Sequence, residues 1–268
     1  MRSPCRDDAE LARHCLNPGK YPRAIDRSEP SRGHVPPGRP LDIAGLTMPP
    51  QECAALGAAL ESSLLDGVPT LEVRWILLGR LDTAMAGWFG TSVSPMESRE
   101  DAYLLRPDLG ALSVKVRGGG ALEVKAFLGS PGILDLPGRA RGRMQYWQKW
   151  SFPLRSPGQD AREADGWRQV RKQRRSIRFA LTGGRIALAG EPADEARCAV
   201  ELTELRTQHR DWWSCGLEAT GPTGLVRTGL EATAALVLTQ ALPSGVELRM
   251  ADSMSYAEWL RARPGVEE

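Results

Sequence analysis

The sequence predicts a mainly β protein of the α+β class, an antiparallel sheet closed into a barrel with flanking helices. From Thr70 to about Pro222 the chain reads as strand-length runs separated by Gly, Pro and Asp turns. The connections are mostly too short for repeated parallel crossovers, which selects antiparallel pairing. Nearly every run also places charges on one face and apolar residues on the other, with the period of two that a strand imposes. At 268 residues and 41% hydrophobic content the chain can bury a substantial core.

Taken in chain order, the first fifty residues hold nine of the 20 prolines, with "HVPPGRP" at their centre. Residues 1–48 read as a disordered arm, because such a composition cannot bury enough surface to offset its ordering entropy. Met48 is a candidate natural start, and residues 49–268 form the folded domain. "QECAALGAALESSLLD" (51–66) has helical spacing at Cys53, Leu56, Leu60 and Leu64. The strands expected next are "TLEVRWILLG", "DAYLLRPD", "LSVKVRG", "ALEVKAFLG", "MQYWQKWSFPL", "WRQVRKQRRSIRFAL", "CAVELTEL" and "WWSCGLEATG", with "GGRIALAG" as a short addition. Glycines 118 to 120 supply the backbone angles of a hairpin turn. "LDTAMAGWFG" after the first strand is expected to be helical. "TGLEATAALVLTQAL" has a 3.6-residue period and a candidate cap at Thr228. "SYAEWLRARPG" reads as a short docked helix anchored by Trp259.

Strand parity groups the charges. Glu72 and Arg74 share a face, as do Lys115 with Arg117, Glu123 with Lys125, Lys149 with Ser151, Lys172 with Arg174, and Glu201 with Thr203; Glu218 stands opposite Leu217 and Ala219. A half-wet antiparallel sandwich shows the same alternation on any one strand. Its recurrence with K-x-R and E-x-K pairs, mostly against an apolar face, points instead to charges converging inside a closed sheet. Such an interior holds seven basic groups (Arg74, Lys115, Arg117, Lys125, Lys149, Lys172, Arg174) against four acidic ones (Glu72, Glu123, Glu201, Glu218). Unpaired buried charges are costly, so the excess calls for an anion, and a phosphorylated ligand suits it.

The order of these motifs resembles the CYTH, or triphosphate tunnel metalloenzyme, superfamily, over roughly residues 70 to 221. The family's E-x-E-x-K signature corresponds to Thr70, Glu72 and Arg74, with threonine for the first glutamate. Lys115 and Arg117 match its basic pair, Lys125 the following lysine, and Lys172 with Arg174 a later K-x-R. Glu201 occupies an acidic metal-side place, and Glu218 is one of a closing E-x-E pair whose other member is absent. The resemblance implies an eight-stranded antiparallel tunnel in which the basic residues, Lys149 among them, bind substrate. It implies that Glu72, Glu201 and Glu218 serve catalysis and bind Mg2+ or Mn2+. The expected function is metal-dependent hydrolysis of a triphosphate- or polyphosphate-containing small molecule. The alternative is a protein that holds a polyphosphate, nucleotide or other organic polyanion without turnover.

Other features fit a single charged cavity. A net charge of +2 gives no general polyanion field, so nucleic acid is not an expected partner. Five cysteines without close metal spacing read as reduced thiols, and no apolar leader or membrane-length run is present, which leads to the expectation of a cytoplasmic protein. No catalytic triad is evident: His14 and His34 fall in the arm, and His209 reads as a turn residue. "RGGGA" lacks the ending of a phosphate loop. "RKQRRSIR" reads as a strand with two basic faces. Trp147, Trp150, Trp167, Trp212 and Trp213 read as packing residues before stacking ones, with Trp75 and Trp150 assigned to an apolar outer layer.

Overall fold

The computed structural model describes residues 67–90, 95–118, 120–154, 166–189 and 196–262. The arm over 1–48 and the helix over 51–66 lie outside these. In chain order the elements are β1 Val68–Leu78, α1 Thr83–Phe89, β2 Glu97–Leu104, β3 Leu112–Arg117, β4 Ala121–Leu136, β5 Ala140–Pro153, β6 Trp167–Thr182, β7 Arg185–Leu188, β8 Arg197–Thr207, β9 Arg210–Thr220, α2 Thr223–Val237 and α3 Tyr256–Ala262.

Eight strands close into an antiparallel barrel in the order β2-β3-β4-β5-β1-β9-β8-β6, and pairing of β2 with β6 completes the ring. The 16-residue β6 makes closure possible. One of its edges carries β8 from Arg171 to Ala180, while the other carries β2 from Trp167 to Arg174 and then β7 from Phe179 to Thr182. An eight-stranded barrel is just wide enough for side chains to fill it or to enclose one small ligand.

The alternation of each strand sorts the barrel into two chemistries. Outward-facing Leu71, Val73 and Trp75 of β1, Val200 and Leu202 of β8, and Trp213, Cys215 and Leu217 of β9 form the main core with Val226, Leu230 and Ala234 of α2. The helix lies over this face because its buried residues recur every four positions. It begins at Thr223 rather than at the expected cap Thr228, with Pro222 as its N-cap. Proline's fixed φ suits a helix entrance, and the earlier start adds buried Val226 to the stripe.

β4 and β5 also run further than "ALEVKAFLG" and "MQYWQKWSFPL" suggested. The Gly-Ser-Pro-Gly stretch over 129–132 reads locally as a loop, yet it continues the strand through register shifts at Gly129 (φ 139°) and Gly132 (φ 131°). Glycine alone takes these angles without strain. His209 (φ 62°) occupies the β8–β9 turn as expected.

One end of the barrel is filled by its own C-terminal segment. The β1–β5 ladder stops at Glu72 and Gln145, while β1 continues on β9 to Leu78. The vacated edge is taken up by the chain before α3: Met254 N–H donates to Arg74 C=O at 3.0 Å, and Ser253 Oγ accepts from Arg143 N–H at 2.9 Å. "SYAE" then forms a capping box, in which the Glu258 carboxylate accepts from Ser255 N–H (2.7 Å) and Ser255 Oγ from Glu258 N–H (3.2 Å). Trp259 and Leu260 of α3 pack with Ile76, Tyr103, Val170, Leu205 and Trp212. These five share strand parity with Arg74, Asp101, Lys172, Thr203 and Ser214, so they belong to the inner face. The expected tunnel is therefore a cup, with α3 as its floor.

Trp259 is 2% exposed, and Trp259→Ala should cost about 3–5 kcal/mol in urea unfolding. A loss below about 1 kcal/mol would show that α3 does not hold the barrel end.

Candidate functional site

A cavity of about 390 Å³ opens above α3. All ten of the expected site residues line it: Glu72, Arg74, Lys115, Arg117, Lys125, Lys149, Lys172, Arg174, Glu201 and Glu218. Parity brings them there, since each occupies an inward position on β1, β3, β4, β5, β6, β8 or β9.

The floor is aromatic and polar. Tyr256 of α3 accepts a hydrogen bond from Arg74 Nη1 (3.2 Å), and its hydroxyl lies 2.9 Å from Ser214 Oγ. The Lys172 ammonium sits 3.9 Å from the centre of the Tyr256 ring and donates to the Tyr103 hydroxyl at 2.6 Å. Burial would raise the Tyr256 hydroxyl, but Arg74 and Lys172 outweigh it and hold the phenol below its ordinary range. Gly216 makes this floor possible: a Cβ there would come within 2.9 Å of the Arg74 guanidinium.

The walls are built from ion pairs. Glu201 accepts from Arg74 Nη2 at 3.1 Å and from Arg174 Nη1. Glu72 and Glu218 stand directly opposite each other on the β1–β9 ladder, and Lys125 bridges them, paired to Glu72 and 3.4 Å from Glu218. Thr70 Oγ1 also donates to Glu72 at 3.0 Å. Lys149 lies 4.0 Å from Glu218, a loose pair. Glu123 meets Lys115 at 2.9 Å and Arg117 at 3.1 Å.

Sequence reasoning missed the contribution of β2. Asp101 is fully buried and meets Lys172 (3.0 Å), Arg99 (3.2 Å) and Lys115 (3.4 Å). Glu97 pairs with Arg99 at 2.7 Å, with Arg117 and with Arg174. The signal was present: "ESRED" alternates Glu97, Arg99 and Asp101 at the same period as the other lumen strands. With charged or hydroxyl side chains at all five positions it reads as solvated chain, because closure against β6 is invisible locally. Two further basic groups at the cavity wall, Arg178 and Arg197, are exposed and make no ion pair among the described residues. Trp147, expected as packing, also lines the cavity and stacks on Phe127 at 5.2 Å.

Ten basic side chains thus line the cavity against four acidic ones, with Glu97 and Asp101 as additional partners. At Glu72, Asp101, Glu123 and Glu201 burial acts to raise the carboxyl, and neighbouring cations overcome it. Arg74 and Arg174 bring Glu201 down to about 2, Lys115 and Arg117 bring Glu123 to about 2, and Lys172, Lys115 and Arg99 hold Asp101 well below its ordinary range.

Among the described residues no group of three or more His, Cys, Asp or Glu comes together, and Glu72, Glu201 and Glu218 each serve as counter-ion to lysine or arginine. Hard divalent cations need several free oxygen ligands. Cys198 and Cys215 are buried thiols without a disulfide, and burial pushes both up to about 12. No helix among the described residues is long and apolar enough to cross a membrane.

No family model and no curated protein matches the chain. Among solved structures, it is similar to a conserved hypothetical protein of Pyrococcus furiosus, at 16% identity and a TM-score of 0.37, over 70% of this chain and 98% of that one. It is likewise similar to a protein of Pyrococcus horikoshii OT3, at 16% identity and a TM-score of 0.35, with the same coverage of 70% and 98%.

The depressed carboxyls set the pH response. Their ordinary value is 4.5 and their folded value about 2, so they stabilise fully above pH 4.5 and lose that contribution as pH falls toward 2. The urea midpoint should fall across that window. Asp101→Asn leaves three cations without their common partner and should cost about 3–5 kcal/mol at neutral pH. A variant as stable as the parent would mean that Asp101 does not hold the cluster.

Proposed function

We propose that the protein binds a polyphosphate-type oxyanion, inorganic or carried by a small organic molecule, in the charged cup of the barrel. The observation that carries this reading is the surplus of cations over carboxylates on one enclosed wall, with Arg178 and Arg197 unpaired by any described acid and Lys149 only loosely paired. Arginine forks and lysine ammonium groups match phosphoryl oxygens in charge and geometry, and the low dielectric of the cup strengthens each contact. The ion pairs keep the cations charged and placed before the ligand arrives, so binding requires little rearrangement. The cavity volume lies within the range of small-molecule sites.

Hydrolysis of the bound anhydride is the second reading, favoured by the two carboxylates, Glu72 and Glu218, that face each other across β1 and β9. Among the described residues the acids do not gather in a group of three, so this reading requires a divalent ion that enters with the phosphate chain.

Titration calorimetry with sodium tripolyphosphate, with and without Mg2+ or Mn2+, together with phosphate release, tests both readings. Tripolyphosphate should bind without metal. Lys149→Ala and Arg178→Ala should each weaken it about tenfold, in line with about 1.5–3 kcal/mol for hydrogen bonds to charged groups, without lowering the unfolding midpoint. Absence of binding at low salt would end the polyanion reading. Glu218→Gln separates the two readings. If the protein is only a binder, the variant should hold tripolyphosphate as tightly or more tightly, and neither protein releases phosphate. If it is a hydrolase, the variant should need more metal for the same release.

A further inference from the structure

Cations account for the charge of the ligand but leave two buried neutral groups on the cavity wall unexplained. Thr203 is 1% exposed and its Oγ1 has no hydrogen-bond partner among the described residues; Trp147 is 4% exposed and its Nε1 likewise has none among them. Both residues line the cavity. Thr203 stands on β8 opposite Arg174 and Ser214, directly above the Tyr256 floor contacts. Trp147 stands on β5 opposite Thr70 and Phe127, two residues before Lys149. In the ring, β5 and β8 are separated by β1 and β9, so the two groups belong to different walls. A buried donor without a partner is expensive, and proteins leave few of them.

We propose that Thr203 and Trp147 are neutral hydrogen-bond donors to oxygens of the bound anion, and that they add specificity which charge alone does not supply. This rests on the polyanion reading. The indole N–H donates only, so its partner is an oxygen acceptor. The threonine hydroxyl donates to an oxygen held by Arg174 on the neighbouring strand. A simple counter-ion such as chloride satisfies the cations, but an oxyanion that meets both walls also satisfies these two groups. They act as binding residues for the ligand, not as parts of the fold.

The experiment measures tripolyphosphate affinity over a range of NaCl concentrations for the parent, Thr203→Val and Trp147→Phe, with the urea midpoint of each unliganded protein. Thr203→Val keeps shape and removes only the donor, whereas Trp147→Phe also removes one ring of a buried indole and lowers the unliganded midpoint through the cavity it leaves. Each should weaken tripolyphosphate about five- to tenfold at every salt concentration, with the slope of log affinity against log salt unchanged, because no charge is lost. The unliganded midpoint of Thr203→Val should stay level or rise, since a buried unpaired group has been removed. Lys149→Ala, by contrast, should reduce the slope. Affinities within twofold of the parent for both variants would overturn the inference, leaving water as the partner of these groups, while the polyanion reading stands. For Thr203→Val a loss accompanied by a lower unliganded midpoint, and for either variant an altered slope, would also overturn it, as a structural effect. Failure of the parent itself to bind tripolyphosphate would overturn both.

Discussion

Everything in this molecule depends on the requirement that charges turned into a closed barrel find partners there. Inward-facing lysines and arginines on seven strands cannot be left alone in a low dielectric, and the carboxylates that answer them come from different strands. Asp101 on β2 collects cations from β2, β3 and β6. Glu201 on β8 joins β1 to β6, and Lys125 on β4 joins β1 to β9. The network is thus a set of cross-links between strands that are distant in sequence.

Such a lumen does not supply the stability of the fold. Desolvation of two ions commonly consumes the Coulombic gain between them, so the driving force must be found elsewhere. It lies on the outside, where α2 covers the apolar faces of β1, β8 and β9, and at the floor, where Trp259 and Leu260 meet Ile76, Val170 and Leu205. The usual arrangement of a barrel packed with apolar side chains is inverted over most of its height and restored only at the plugged end. That division leaves the upper interior free to carry polar groups that a core would not tolerate.

The plug also shapes the site. α3 follows a segment that takes up the β1 edge left open by β5, and it brings Tyr256 beneath Arg74 and Lys172. The negative face of an aromatic ring attracts a cation, and here one ring serves two. The cup is deepest and driest at this floor and becomes more exposed toward Lys149, Arg178 and Arg197. A ligand entering from solvent would therefore meet loosely held charges first and firmly paired ones last.

Strand parity was legible in the sequence, because the face a side chain takes is a local property of an extended backbone. From "TLEVRW", "LSVKVRG", "ALEVKAF" and "WRQVRKQRRS" alone it followed that Glu72, Arg74, Lys115, Arg117, Lys125, Lys172 and Arg174 share one side of a sheet, and that on the first three of these runs the other side is apolar. The 3.6-residue period of α2 and the Trp259 anchor of α3 were legible for the same reason. Partnership was not. That Glu97 and Asp101 neutralise the lumen depends on β2 closing against β6, across about seventy residues of chain, and nothing in "ESRED" distinguishes a lumen strand from a solvated loop. Nor does an apolar stripe such as that of α3 say whether it covers a barrel or enters one. The fate of the glutamates was likewise a tertiary decision: alternation turned Glu72, Glu201 and Glu218 inward, but only the order of strands around the ring placed a lysine or arginine against each of them.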